Sequence, residues 1–279
     1  MLREIHVTHI QETVAELIAE SAYNLPADYL AAMQQARATE ASDLGGAIIT
    51  LLLDNAAYAA SEQIPTCQDT GMALIFLEIG QDVHLTGGPL HPAIAQGVIN
   101  GYANLRKSVV SDPLLRQNSG DNTPPITHID IVPGDQVRVT VMMKGFGAEL
   151  MSQLKMMPPS VGVEGVKRFV LQVVEQAGPN ACPPLIVGVG MGGSFDTVGA
   201  LAKKALLRPL GQPNAQPHLA QMEAELLAKI NRLGIGPQGL GGSTTALAVH
   251  VEAYATHIAA LPVAVNLNCS APRRATQII

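Results

Sequence analysis

The sequence has no tryptophan, and aromatic residues make up only 3% of it. The stacking platforms on which single-strand nucleic-acid binders lay successive bases are therefore missing. Lys and Arg number 17 against 23 Asp and Glu, for a net charge of −6, and no basic run stands out. That excludes the electrostatic footprint of a nucleic-acid partner. No uninterrupted apolar run reaches the roughly 18 residues that span a bilayer, so no membrane partner is expected. The N-terminus, Met1-Leu2-Arg3-Glu4-Ile5-His6, is mixed and charged, unlike a secretory leader. Cysteine is scarce as well: there are three. An odd number of scattered thiols suits neither a disulfide framework nor a zinc finger. Free thiols persist in a reducing cytosol, and a cytoplasmic location is expected.

What is present is a globular composition, 47% apolar and 14% charged. Residues 1–62 read as a helical N-terminal segment and residues 63–279 as a mixed α/β region, together one continuous domain. The expected fold class is mixed α/β of the α+β type, with mixed sheets and packed helices. Ile10, Val14, Leu17 and Ile18 recur at helical spacing, and Ser42 to Ala60 form a second helix, with Pro26 and Gly45-Gly46 as interruptions. Met72 to Ile79 and Leu185 to Gly190 read as buried strands. His128 to Val132 and Gln136 to Met143, joined through Pro133-Gly134-Asp135, read as a hairpin. Pro92 to Leu105, Val163 to Gln176, Thr197 to Leu207 and Leu219 to Leu233 read as helices, and Thr244 to His250 and Leu261 to Leu267 as late strands.

Cys67, Cys182 and Cys269 each stand beside Pro, Gly or Asn, not in an apolar run. A lone Cys is commonly a small buried hydrophobe. Three turn-placed thiols suit instead the ligands of one iron–sulfur cluster, with one iron left for substrate. Asp69 follows Cys67 by two residues, which would put its carboxylate close to such a cluster, able to move a proton. Asp-Thr-Gly is also ordinary turn chemistry. Arg106 follows a helix and could clamp an anion, or merely serve the helix dipole. The turn Lys144-Gly145-Phe146-Gly147-Ala148-Glu149 could present amides to a carboxylate. Gly188, Gly190 and Gly193 formally match G-x-G-x-x-G, without the acidic residue that a dinucleotide site needs about 20 positions on. A nucleotide-binding oxidoreductase resting on Gly188–Gly193 is the alternative of a different class. His250, at the end of a strand-like run, reads as a core residue.

The segments Ile64-Pro65-Thr66-Cys67-Gln68-Asp69-Thr70-Gly71, Gly120-Asp121-Asn122-Thr123-Pro124, Gly178-Pro179-Asn180-Ala181-Cys182-Pro183-Pro184 and Gly234-Ile235-Gly236-Pro237-Gln238-Gly239-Leu240-Gly241-Gly242 resemble the α subunit of iron–sulfur class I fumarate hydratases and tartrate dehydratases. The resemblance covers nearly the whole chain. It implies a [4Fe-4S] cluster on Cys67, Cys182 and Cys269. It implies that Gln68, Asp69, Arg106, Gly145 and Gly147 face a dicarboxylate, with Asp69 catalytic. It implies reversible hydration of fumarate to malate, or the related dehydration of L-tartrate or hydration of mesaconate. A β subunit and a higher oligomer are implied too, because the rest of the family's site comes from a C-terminal region or a second chain. The chain departs from the family after the third cysteine, where Ser270 stands in place of the usual His.

Overall fold

The structure, a computed structural model, describes residues 2–279. In chain order the elements are β1 (Arg3–His6), α1 (Val7–Tyr23), α2 (Ala27–Thr39), α3 (Asp43–Glu62), β2 (Met72–Gly80), β3 (Val83–Thr86), α4 (Leu90–Gly101), β4 (Ile126–Val132) and β5 (Val137–Lys144). There follow α5 (Phe146–Leu150), β6 (Gln153–Met157), α6 (Gly162–Ala177), β7 (Leu185–Gly193), α7 (Phe195–Ala205), α8 (Pro217–Asn231), β8 (Ala246–Thr256), β9 (Leu261–Asn268) and β10 (Arg273–Ile278). This is a mixed α/β chain. It forms two compact units, each drawn from separated stretches of sequence. One comprises the stretch ending at Pro26, Ala56–Phe146 and Pro272–Ile279; the other comprises Ala27–Asn55 and Gly147–Ala271. Neither follows the sequence boundary at residue 62, because α3 leaves one unit and enters the other at Asn55.

The first unit is built on a sheet of order β10-β5-β2-β4, with β1 and β3 paired in parallel beside it. Ile10, Val14, Leu17 and Ile18 of α1 are buried with Ala73, Ile75 and Leu77 of β2 and Val137, Val139 and Val141 of β5. The odd-numbered positions of both strands share this core because side chains alternate across a strand. The expected β4–β5 hairpin does not form. β4 pairs with β2 in parallel and β5 pairs with β2 antiparallel, so β2 lies between them. The turn at Pro133–Gln136 arches over the end of β2 instead. Gly80 N donates to Gln136 O at 2.8 Å, Gln81 N to Val132 O at 2.8 Å and Asp82 N to Gly134 O at 2.9 Å. A Cβ on Gly80 would lie 2.4 Å from Gly134 O, so only glycine lets the turn cross there.

The second unit is built on a sheet of order β6-β9-β7-β8, with β7 and β8 parallel and β9 antiparallel to β7. Val187, Val189, Val263, Val265 and Leu267 pack with Val170, Val173, Val174, Leu226 and Ile230 of α6 and α8. Ala264 belongs to a separate cluster with Val198 and Ala202 of α7. The alternation along β9 thus places α7 on the opposite face of the sheet. Gly188 and Gly190 of β7 face α7, where a Cβ would lie 2.3 Å from Ala202 O and 2.4 Å from Val198 O respectively. These glycines serve helix-on-strand packing, leaving no open loop to cradle a dinucleotide phosphate. His250 is buried, with Nδ1 3.1 Å from Ala205 O, a core residue as expected.

Gly45 and Gly46 lie inside α3 and do not interrupt it. Their missing side chains admit Glu40 and Arg37, whose atoms would stand 3.0 Å from an added Cβ. The α3 helix has 20 residues and a mean hydropathy of 1.3, so by length and composition alone it could cross a membrane. Thr50, Asp54 and Asn55 interrupt its apolar run. α2 falls within the expected helical segment, whereas β1, β3, β6 and β10 are not expected from local pattern. Gln153-Leu154-Lys155-Met156-Met157 of β6 and Arg273-Arg274-Ala275-Thr276-Gln277-Ile278 of β10 carry no clean alternation, and both are set by pairing with distant β9 and β5.

Gly190→Ala should force α7 off the sheet and destabilise the protein by about 1–3 kcal/mol, an overpacking cost. Urea unfolding measures it, and a variant as stable as wild type would show that α7 can yield.

Candidate active site

The stretch Cys67–Gly71 is irregular chain entering β2. Its backbone groups find partners among side chains, as buried polar groups must. Thr66 N and Oγ1 both donate to Ala22 O at the end of α1, at 3.0 and 3.1 Å. Thr70 Oγ1 donates to Arg106 O at 2.6 Å. Tyr102 Oη donates to Thr70 O at 3.0 Å and to Gly71 O at 3.3 Å. Asn122, wholly buried, joins two loops: Nδ2 donates to Gly71 O at 3.1 Å, and Oδ1 accepts from Ser108 N at 2.7 Å and Val109 N at 3.1 Å.

These ties bring Gln68, Asp69 and Arg106 together. With Lys107, Ser108 and Asn118 they line a polar cavity of about 390 Å³. Gln68 and Arg106 are exposed there, and Asp69 is half-buried. Asp69 makes the expected turn, Oδ1 accepting from Gly71 N at 2.9 Å, but Oδ2 also accepts from Phe146 N at 2.8 Å. The turn after β5 therefore gives this amide to the chain's own carboxylate. Lys107 Nζ donates to the carbonyls of Tyr102, Ala103 and Leu105. An ammonium has three protons, so its donors are spent on the end of α4. Arg106 is exposed in the cavity, its guanidinium open to a ligand.

Gly145 is buried at the edge of this site. An added Cβ would lie 3.2 Å from both Asp69 Oδ2 and Arg273 Nη2. Arg273 is only 3% exposed, and its Nε has no hydrogen-bond partner. Burial pushes the Tyr102 phenol far above its usual range; the Arg273 guanidinium opposes this and the Asp69 carboxylate adds to it. Gly147 belongs to the second unit, exposed, with an added Cβ 3.7 Å from Asn180 O.

The second unit carries Cys182 and Cys269. Cys182 is exposed, ends the 3₁₀ turn Gly178–Ala181, and takes the left-handed conformation at φ 53°. Cys269 follows β9, is half-buried, and has Sγ 4.0 Å from Ala271 O. Ser270 N donates to Cys182 O at 3.0 Å, so the two cysteine turns are joined backbone to backbone. Cys67, in the first unit, is half-buried with Sγ 3.4 Å from Gln68 Oε1. No disulfide engages any of the three. Among the described residues, no group of three or more His, Cys, Asp or Glu side chains stands ready to hold a single metal ion. The donor set itself is all thiol, with no carboxylate or imidazole in it, and soft thiolate donors are the chemistry that iron–sulfur clusters require.

The chain that leaves the glycine-rich segment Gly234–Gly242 is held by one acid. Glu40 Oε1 accepts from Ser243 N at 2.7 Å, Ser42 N at 2.9 Å and Ser243 Oγ at 3.1 Å, and Oε2 accepts from Thr244 N at 2.8 Å. Burial alone would raise this carboxyl, but the bonds from Ser243, Thr244 and Ser42 outweigh it and hold it at about 2. Sequence reasoning missed Glu40, Tyr102 and Arg273 as site-building residues, and it read Asn122 only as part of a turn segment. No local pattern announces a side chain whose partners lie tens of residues away.

The first unit thus sets a polar cavity carrying Arg106 directly after the Cys67 thiol, a surface suited to a small anion. The chain matches the family model described as Fumarate hydratase (Fumerase) over residues 11–278. It belongs to that family and is a hydro-lyase. It is 40% identical over 278 residues to the "Putative L(+)-tartrate dehydratase subunit alpha" of Methanocaldococcus jannaschii, covering 97% of each chain. It is 36% identical over 280 residues to the L(+)-tartrate dehydratase subunit alpha of Escherichia coli O157:H7, covering 98% of this chain and 91% of that one.

Glu40 makes the protein's stability depend on pH in acid. Its folded pKa lies below the ordinary 4.5, so its contribution is fully present above that value and is lost as pH falls toward about 2. Glu40→Gln should cost about 1–3 kcal/mol at pH 7 and flatten this acid slope. Urea unfolding between pH 7 and pH 3 tests both.

Proposed function

We propose that the chain is the α subunit of a [4Fe-4S] hydro-lyase that reversibly hydrates fumarate to malate, working in a reducing cytosol with its active site completed by a β subunit. The observation that carries this reading is the cavity of Gln68, Asp69 and Arg106, which opens one residue after Cys67. The subunit names of the relatives support the β partner.

Cys67, Cys182 and Cys269 would hold the cluster, which when bound supplies an open iron as Lewis acid toward substrate oxygens. The chain's own side chains do the remaining work. The Arg106 guanidinium offers a planar fork that pairs with a carboxylate in two parallel hydrogen bonds. The Gln68 carboxamide, exposed beside it, can donate to a substrate oxygen and so fix which end faces Arg106. Asp69 accepts one amide on each oxygen, which orients the carboxylate and leaves a lone pair on each. Those lone pairs can accept the proton of a substrate hydroxyl or of the adding water. Gly145 lets Asp69 and Arg273 close on the end of β5, where an added Cβ would stand 3.2 Å from each.

The second reading is dehydration of L(+)-tartrate, which the names of the two relatives favour. It is the same removal of water from a four-carbon dicarboxylate, and mesaconate differs from fumarate only by a methyl group. Steady-state rates with fumarate, L-tartrate and mesaconate distinguish these substrates. The decisive experiment is anaerobic reconstitution with the β partner, followed by iron and sulfide analysis and turnover. Cys182→Ser should lose both the cluster and activity; a full cluster with full turnover would refute the reading. Asp69→Asn should keep the cluster and lower kcat by roughly 100-fold or more, the usual size of a lost acid–base group.

A further inference from the structure

β7 and β9 pair antiparallel, with Ile186 opposite Asn268. That register sets the turn before β7 and the turn after β9 at one end of the same sheet. The first turn carries Cys182 and the second Cys269. Beyond the last ladder pair the two turns would be free to part, but three side chains hold them.

Ser270 is the meeting point. Its N–H donates to Cys182 O at 3.0 Å, its Oγ accepts from Gln238 Nε2 at 3.0 Å, and its carbonyl accepts from Tyr29 Oη at 2.6 Å. Its own amide, hydroxyl and carbonyl are thus all engaged. Gln238 grips both turns at once, because Nε2 and the backbone N of Gln238 each also donate to Pro183 O at 2.8 Å. Gln238 does this from the left-handed conformation at φ 54°, which costs a non-glycine residue energy and persists only where its surroundings enforce it. The same loop rests on the turn before Cys182: a Cβ on Gly239 would lie 2.2 Å from Pro179 Cβ. Tyr29 is 1% exposed and Ser270 9% exposed, so the bonds between them are sheltered from water. Burial, and then the adjacent Cys269, push the Tyr29 phenol far above its usual range, consistent with a hydroxyl that stays protonated and donates.

We propose that Ser270, with Gln238 and Tyr29, is a positioning device that presents the Cys182 and Cys269 thiols as a preformed pair before any metal binds them. Tyr29 Oη and Gln238 Nε2 donate to backbone and to Ser270, so both residues act through the two turns and not as ligands. Preorganisation of this kind lowers the ordering cost that a two-point ligand would otherwise incur. The proposal deepens the reading of both cysteines as cluster ligands and rests on it for its purpose. Its test needs neither cluster nor substrate.

The test uses the full-length chain in a Cys67→Ser background, purified reduced and metal-free, so that Cys182 and Cys269 are the two thiols present. Phenylarsine oxide reports the pair, since one trivalent arsenic bridges two thiols and releases water. Iodoacetamide reports each thiol singly. The parent should take up one arsenical per chain rapidly. Ser270→Ala and Gln238→Ala should slow bridging about tenfold, the effect of losing one net hydrogen bond. Alkylation of exposed Cys182 should change by less than about twofold, for the same reason that its own exposure is untouched. Tyr29→Phe removes one hydroxyl and should slow bridging in the same direction, which keeps the test open if the other variants fold poorly. Ser270→Thr keeps the hydroxyl and should restore the rate. Bridging at the parental rate in folded variants, or independent alkylation of both thiols with no bridging in the parent, would overturn the proposal. Bridging as expected, with no iron or sulfide in the reconstituted enzyme, would leave the positioning device standing and defeat the cluster reading.

Discussion

The buried carboxamide of Asn122 is the tie on which the polar cavity depends. Gln68, Asp69 and Arg106 all stand on irregular chain, where no helix or strand ladder satisfies the backbone. Each amide and carbonyl there must find a side chain or lose free energy on burial. Asn122 supplies both kinds of partner, donating to Gly71 on one loop and accepting from Ser108 and Val109 on the other. Tyr102 and Thr70 repeat the arrangement from below and beside it. Apart from the contact of Cys67 Sγ with Gln68 Oε1, the functional side chains are not joined by the bonds described above. They are aimed by a scaffold of neutral polar groups, and this leaves their own hydrogen-bonding capacity for a ligand.

The second unit solves the same problem with different residues. Glu40 gathers the amides after Gly242, and Gln238 gathers Pro183 and Ser270. A charged acid suffices where three amides converge, because several donors stabilise the anion against partial burial. A neutral amide is the better choice beside Cys269, since a second anion there would oppose any thiolate. In both units, segments that look like featureless glycine-rich turns in sequence are ordered structures with side-chain braces.

This explains how the sequence could be read and where it could not. Strands such as Met72–Gly80 and helices such as Val7–Tyr23 announce themselves because a run or a 3.6-residue period is local information. The residues Gln68, Asp69 and Arg106 are legible through family resemblance; the structure adds that they line one cavity. The hairpin through Pro133-Gly134-Asp135 was misread because a turn signal says that the chain reverses, not that the flanking strands pair. Here β2, more than fifty residues earlier, takes the place between them. The glycines of β7 match a phosphate-binding pattern, but their use depends on how near α7 approaches, and that is long-range packing. Asn122, Tyr29 and Arg273 were invisible as site residues for the same reason.

The cavity also bears on the proposal of a second chain. A four-carbon dicarboxylate brings two negative charges. Lys107, which lines the cavity, has given its three protons to the carbonyls at the end of α4, and Arg273 lies buried. Arg106 is left with a guanidinium free to fork onto one carboxylate. Under the proposed function the other carboxylate would need a counter-charge of its own, from the open iron of the cluster or from a second chain. A β subunit that donates Arg or Lys to the open side of the cavity would meet that requirement.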